Sequence, residues 1–345
     1  MTSTSSFDKD TSGQEVARTY AAQGANKTVL ITGVSIGGIG EAIARAFAHG
    51  GASPIIITGR NEERMNAVLK ALSADYPDTK FRTLKLDLAS IKASQAAAKE
   101  ILEDPSIKKV DIIIGNAGGN FMTDERDLTV DGIEMNFAAN HIGHFVFIKT
   151  LLPKLIEAAK SPGMPPGATR VVMVASLASW FSPIRFSDWN FDLKELPDDE
   201  KPDHEALKRI LAEKPRDGFD TNIAYGQSKT ANVLFATHLN TLLSGDGIRA
   251  FALHPGGVLS NGPASFLAEM PPEQRESLAS VFFKNIDQGS STVMVAALDP
   301  KLSPEDGIFL EDCQISTAPE WATSKEKAEK LWKLSEEIVN DKLKG

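Results

Sequence analysis

Between Val29 and Phe47 the apolar pattern changes its period, and four glycines stand at the change. Val29-Leu30-Ile31 is a continuous apolar run, whereas Ile39, Ala42, Ile43, Ala46 and Phe47 recur at helical spacing. Between them lies Thr32-Gly33-Val34-Ser35-Ile36-Gly37-Gly38-Ile39-Gly40. The pattern describes a buried strand, a glycine-rich turn and a helix with one apolar stripe. Such a turn offers free backbone N–H groups and the positive end of a helix, where a pyrophosphate can sit. Glycine suits it because a Cβ would close the turn or block the ligand. Taken alone, the turn is compatible both with nucleotide binding and with a plain tight bend.

The alternation of strand and helix signals then repeats. Strands are expected at Pro54–Thr58, Phe81–Asp87, Val110–Ile114, Val171–Val174, Ile248–Leu253 and Gly307–Leu310. Helices are expected around Met65, Val68, Leu69 and Leu72, from Ile91 to near Leu102, and from about Val130 to Ala158 with a break at Pro153. Further helices are read at Ala224–Leu243 and Ser324–Leu343. Repeated units of this kind imply an α/β fold: a doubly wound parallel sheet of Rossmann type with helices on both faces. Ligands bind such sheets at the carboxyl ends of the strands, where the winding reverses. Residues 1–26 read as an extension whose first ten are a frayed Ser/Thr-rich tail. Residues 27–320 read as a single domain, and 321–345 as a C-terminal helix packed on it. Two long insertions interrupt the rhythm. The first, about 181–220, follows Trp180 and carries Phe181, Phe186, Trp189, Phe191 and Phe219; the second, about 257–285, carries Phe266, Leu267, Met270, Pro271 and Pro272. Both leave strand ends on the ligand side and read as substrate walls or lids.

Composition narrows the partners. A net charge of −9 over 345 residues argues against binding nucleic acid or an anionic membrane through bulk charge. No apolar run approaches the length of a membrane span, and the N-terminus lacks the basic-then-apolar order of a signal peptide. Cys313 is the single cysteine, so no intrachain disulfide forms and a reducing, cytoplasmic compartment is expected. His141 and His144 lack a Glu or Cys at ligand spacing, so no metal site is expected.

Tyr225 and Lys229 lie four residues apart at the start of a helix capped by Asp220, Thr221 or Asn222. That spacing stacks them on one face, where an ammonium would lower the phenol's pKa from about 10 and make it a usable acid and base. Such a pair also arises by chance on a solvated helix. Ser176 ends the fifth strand, and in a parallel sheet a strand end and the start of the next helix share an edge. Its hydroxyl could bind a substrate oxygen while Tyr225 protonates it; the plain alternative is a turn residue.

The set Thr32-Gly33 through Gly38-Ile39-Gly40, Asn116-Ala117-Gly118, Asn140, Ser176, Tyr225-Gly226-Gln227-Ser228-Lys229 and Pro255-Gly256 resembles the short-chain dehydrogenase/reductase family. Within it, Asn140–Phe145, Gln227–Phe235 and Ala296–Pro300 resemble the retinol-dehydrogenase and WW-domain-oxidoreductase-like branch. The resemblance implies that Tyr225 is the acid/base and that Lys229 tunes it and holds the nicotinamide ribose. Ser176 would orient the carbonyl, and Asn140 would hold a water linking Lys229 to solvent. For the cofactor it implies Thr32, Gly33, Ser35, Gly38, Ile39 and Gly40 at the phosphates, Asp87 and Leu88 at the adenine, and Asn116 with Gly118 on the adenosine side. Pro255, Gly256 and Val258 would lie by the nicotinamide. The resemblance is compatible with a homo-oligomer, unless the insertion and the C-terminal helix cover the usual interfaces.

The glycine turn is one residue longer than the family pattern, which leaves open whether Val34, Ser35 or Ile36 faces the phosphates. The second strand ends Thr58-Gly59-Arg60-Asn61 with no acid before Glu62, so Arg60 favours NADP(H) over NAD(H). The expected function is therefore an NADP(H)-dependent oxidoreductase acting on the carbonyl or alcohol of a bulky lipophilic or ring-containing small molecule. The alternatives are a dinucleotide-binding sensor without turnover, or the same fold acting on an imine or in a cyclisation.

Overall fold

Short apolar runs of Ile, Val and Leu, each bounded by turn residues, pair into a sheet that is buried on both faces. The computed structural model describes residues 2–211, 216–260 and 283–344. Eight strands are ordered β3-β2-β1-β4-β5-β6-β7-β8. They are β1 (Val29–Ile31), β2 (Ile55–Gly59), β3 (Phe81–Lys85), β4 (Ile112–Gly115), β5 (Thr169–Val174), β6 (Ile248–Leu253), β7 (Phe309–Glu311) and β8 (Gln314–Ile315). All neighbours are parallel except β7 and β8, which form an antiparallel hairpin absent from the sequence reading. β1 pairs with both β2 and β4, so the winding reverses there and a crevice opens at their carboxyl ends.

Alternate strand residues feed two cores. Leu30, Ile56, Ile113 and Val171 face the helices Ile91–Glu103, Gly143–Ala159, Thr221–Leu242 and Lys325–Lys344. Val29, Ile31, Ile55, Ile57 and Val172 face the helices Gly13–Thr19, Ile39–His49 and Ile286–Leu298. Arg170 lies buried within β5 and donates to Gly167, Ala296 and Asp299 carbonyls, closing the end of the last of these helices.

Two local expectations fail. The N-terminal residues do not fray. Phe7 is buried edge-on against Tyr20, a burial worth roughly 2 kcal/mol. Asp299, fully buried, accepts from the Ser3 amide at 2.6 Å, the Lys301 amide at 2.9 Å and the Tyr20 hydroxyl at 3.3 Å. A buried carboxylate needs such donors, and two of the three come from a segment nearly the whole chain away. The helix expected from Val130 begins instead at Met135, where the buried Glu134 carboxylate accepts from the Asn136 and Phe137 amides. It also runs on through Pro153 to Ala159, because Leu151 and Leu155 hold both sides of the proline in the core.

Candidate active site

The glycine turn is held from outside as well as by its own residues. Gly33 takes a φ of +70°, and a Cβ on it would lie 2.6 Å from the Ala117 Cα. A Cβ on Gly40 would lie 2.4 Å from the Gly33 carbonyl oxygen. No side chain fits at either place, so the turn forms a close-walled cradle at the amino end of the Ile39–His49 helix, as a pyrophosphate requires. The Asn116 amide donates to the carbonyls of Thr32 at 2.9 Å and Gly33 at 3.0 Å, so this residue clamps the turn directly. The extra residue is absorbed at Gly37, whose φ is +71° and whose N–H donates to Glu41 at 2.7 Å. Val34 is buried and donates its amide to Thr58, while Ile36 is exposed and Ser35 half-exposed. Ser35 and Ile36 are therefore the positions open to a ligand.

Past the cradle, Arg60 is exposed at the end of β2. Asp87 closes a local turn by accepting from the Ala89 amide, and the Leu88 backbone lies against Gly143. Gly118 takes a φ of +141°; a Cβ there would lie 2.4 Å from Asn140 Oδ1 and 3.5 Å from Lys229 Nζ. Asn140 sits in a π-helical turn, Ala138–Ile142, a bulge of the kind that re-aims a side chain. Its Oδ1 accepts from the Gly119 amide, and its Nδ2 donates to the Gly119 carbonyl and to Ser228 Oγ at 2.9 Å. Asn140 thus ties the loop after β4 to the Tyr225 helix.

That helix starts at Asp220, whose carboxylate accepts from the Asn222 amide. One turn on, the Tyr225 hydroxyl lies near enough to Ser176 for that side chain to oppose the rise of the phenol's pKa. Lys229 is buried, with its ammonium 5.4 Å from the Tyr225 ring centre and donating to the Val174 carbonyl at 3.0 Å. The three groups expected to meet do meet, at the carboxyl end of β5. Their electrostatics differ from expectation. Burial holds the phenol up at about 12 against the opposing Ser176 side chain, and brings Lys229 down to about 8. Desolvation opposes both charged forms, and the ammonium lies over the ring on a backbone carbonyl, so it does not lower the phenol.

The loop after β6 carries Pro255, Gly256 and Val258. Gly256 takes a φ of +92°, and Val258 is buried and forms a parallel bridge with Lys284.

The first insertion is less of a lid than its aromatic content suggests. Phe181 and Phe191 are buried in a cluster with Ala206, Leu207 and Ile223, and Phe191 meets Phe219 edge-on. Trp189 packs on Phe137 and lines a groove with Leu334 and Ile338. Trp180, half-buried in the cluster that Tyr225 joins, meets Trp321 edge-on. The aromatic and proline positions of the second insertion lie outside the described residues.

Several supports have no signature in the sequence. Gln227 is buried two positions past Tyr225, accepts from the Arg185 amide and donates to the Trp189 carbonyl, fastening the insertion to the helix. His144 bridges Thr32 Oγ1 at 2.9 Å and the Asn140 carbonyl at 3.1 Å, and burial keeps it neutral with a pKa of about 4. Only the fold brings these partners together. A polar residue recurring on an otherwise buried helix face was the available hint.

A family model described as short chain dehydrogenase matches residues 27–187. Oxidoreductase fscI of Fusarium equiseti is 39% identical over 252 residues, covering 73% of this chain and 95% of its own. Retinol dehydrogenase 12 of Mus musculus is 33% identical over 314 residues, covering 91% of this chain and 86% of its own. The NADPH-bound carbonyl reductase from chicken fatty liver superposes with a TM-score of 0.58 at 19% identity, covering 86% of this chain and all of that one. Among the described residues no helix is long and apolar enough to cross a membrane.

Proposed function

Because the chain belongs to the short-chain dehydrogenase family, we propose that it is an NADP(H)-dependent oxidoreductase passing hydride between the nicotinamide and a ketone, aldehyde or secondary alcohol. The observation that carries this reading is the meeting of Ser176, Tyr225 and Lys229 beside the glycine cradle. The cofactor, when bound, supplies or accepts the hydride. Gly33, Ser35, Gly38, Ile39 and Gly40 receive its phosphates, and Arg60 pairs with the 2′-phosphate. Thr32, fully buried with its hydroxyl on His144, fixes the turn beneath the phosphates rather than meeting them as expected. Asp87, Leu88, Asn116 and Gly118 border the adenosine half, and Pro255, Gly256 and Val258 border the nicotinamide.

Ser176 orients the substrate oxygen and steadies the charge that grows on it. Tyr225 delivers the proton. With the phenol near 12, it is protonated across the neutral range, which is the state carbonyl reduction needs. Lys229 holds the ribose, and Asn140, fixed beside Gly118, positions the water through which Lys229 exchanges protons. A bulky lipophilic or ring-containing substrate is supported by the similarity to retinol dehydrogenase 12 and by the aromatic cluster against which both Trp180 and Tyr225 pack. The single, buried Cys313 supports a cytoplasmic location.

A panel of lipophilic ketones, aldehydes and alcohols, followed through nicotinamide absorbance with both cofactors, tests the reading. Turnover with NADPH is expected, and Tyr225→Phe should lower kcat on the order of 10³-fold while leaving NADPH affinity nearly unchanged. Wild-type turnover in that variant would end the assignment.

A further inference from the structure

Lys284 has a side chain with no exposed surface, and its ammonium meets Asp312 Oδ1 at 2.6 Å. The carboxylate it reaches is 40% exposed and stands on the turn between β7 and β8. Its stem crosses beneath Gly256, where a Cβ would lie 2.6 Å from Lys284 Cδ and 2.9 Å from Nζ. Its backbone is bound to the same loop: the Lys284 amide donates to Gly257 at 3.0 Å, and the Leu259 amide donates to Lys284 at 2.9 Å. One residue therefore joins three segments: the loop after β6, the approach to the Ile286–Leu298 helix, and the β7–β8 turn. The need for such a tie is physical. Gly256 and Gly257 in succession make the loop costly to order, and a buried ammonium is costly unless a partner offsets its desolvation.

We infer that Lys284, paired with Asp312, is a positioning residue that holds the Pro255–Val258 loop in the shape that receives the nicotinamide half of the cofactor; the inference rests on the reading of the cleft as an NADP(H) site. Neither residue acts on the reacting atoms. The pair preorganises the loop, so its loss is felt as weakened binding of the half that the loop borders.

Lys284→Met keeps the stem and removes the buried charge, leaving a carboxylate that is already part-solvated. The probes are NADPH and 2′-phospho-ADP-ribose, which lacks the nicotinamide, titrated by calorimetry into the full chain. NADPH affinity should fall by about tenfold or more, with the fragment within about twofold of wild type. Lys284→Arg should recover much of the loss. Asp312→Asn supplies a second variant, since asparagine tolerates the φ of +47° at that position and removes only the charge. It should weaken NADPH in the same selective way. Equal weakening of both ligands in the two variants, or no weakening in either, overturns the inference. A wild-type chain that binds neither ligand overturns the NADP(H) reading, and the clamp's role with it.

Discussion

The two ends of the cleft are built differently. The glycine cradle proposed for the phosphates lies in one continuous stretch, Thr32–Gly40, in which the turn and the following helix are neighbours in sequence, and one further loop closes on it through Asn116 and Ala117. The end proposed to react draws Ser176 from just past β5, Tyr225 and Lys229 from a helix nearly 50 residues later, and the Pro255–Val258 loop from after β6. It is held by buried polar ties: Asn140 to Ser228, Gln227 to Arg185 and Trp189, Lys284 to Asp312. Where the chain supplies most of its own geometry, glycines and a single clamp from Asn116 hold the turn. Where distant segments must agree to fractions of an ångström, buried hydrogen bonds and ion pairs do the holding, because unpaired they would be costly.

This contrast can be broken or sharpened by experiment. The largest effect is expected from Gly33→Ala. The left-handed φ and the approach to Ala117 together should cost about 4 kcal/mol, and both NADPH and its adenosine fragment should lose binding. Retained fragment binding would show that the turn is not the organiser of that end. Next is acidification. His141 and His144 are buried, with pKa values near 3 and 4 set first by desolvation, against about 6.5 in an unfolded chain. Their contribution is therefore whole above about pH 6.5 and declines as pH falls toward 4. Urea unfolding at pH 7.5 and 5.5 should differ by about 3 kcal/mol from this pair, and no difference would mean the rings are not held neutral.

Gln227→Leu should cost about 2 kcal/mol by leaving the Arg185 amide and Trp189 carbonyl unpaired. It should alter substrate KM while leaving 2′-phospho-ADP-ribose affinity in place; a change confined to the fragment would reverse the division proposed between the two ends. The smallest effect belongs to Arg60→Ala, an exposed side chain, for which NADPH should weaken by about tenfold and NADH hardly at all in fluorescence titration. Equal losses would remove Arg60 from the 2′-phosphate.

The strand and helix order was legible because each apolar run has one period and is bounded by turn residues, and the meeting of Ser176 with Tyr225 follows from the shared edge of a parallel sheet. The readings that failed share a cause. The Ser/Thr-rich N-terminus was read as loose, yet Ser3 and Tyr20 satisfy Asp299, a partner far along the chain. Of the aromatic insertion expected to wall the substrate, Phe181 and Phe191 fill a separate cluster and Trp189 packs on Phe137 against the main core, neither of which spacing could show. The phenol was expected to fall below 10 beside Lys229, yet burial sends it the other way. In each case composition and spacing identified the groups, but not what surrounds them.

The amino-acid order alone thus determined the doubly wound sheet, the glycine turn and the Ser–Tyr–Lys set, since these depend on local period, local φ and the rule that strand ends share an edge. The tertiary structure decided which buried polar groups find partners, which way desolvation moves Tyr225 and Lys229, and which cluster each aromatic side chain of the insertion fills. Those outcomes depend on distances between segments far apart in the chain, and a polar group's energy in the interior is set by what lies within a few ångströms of it.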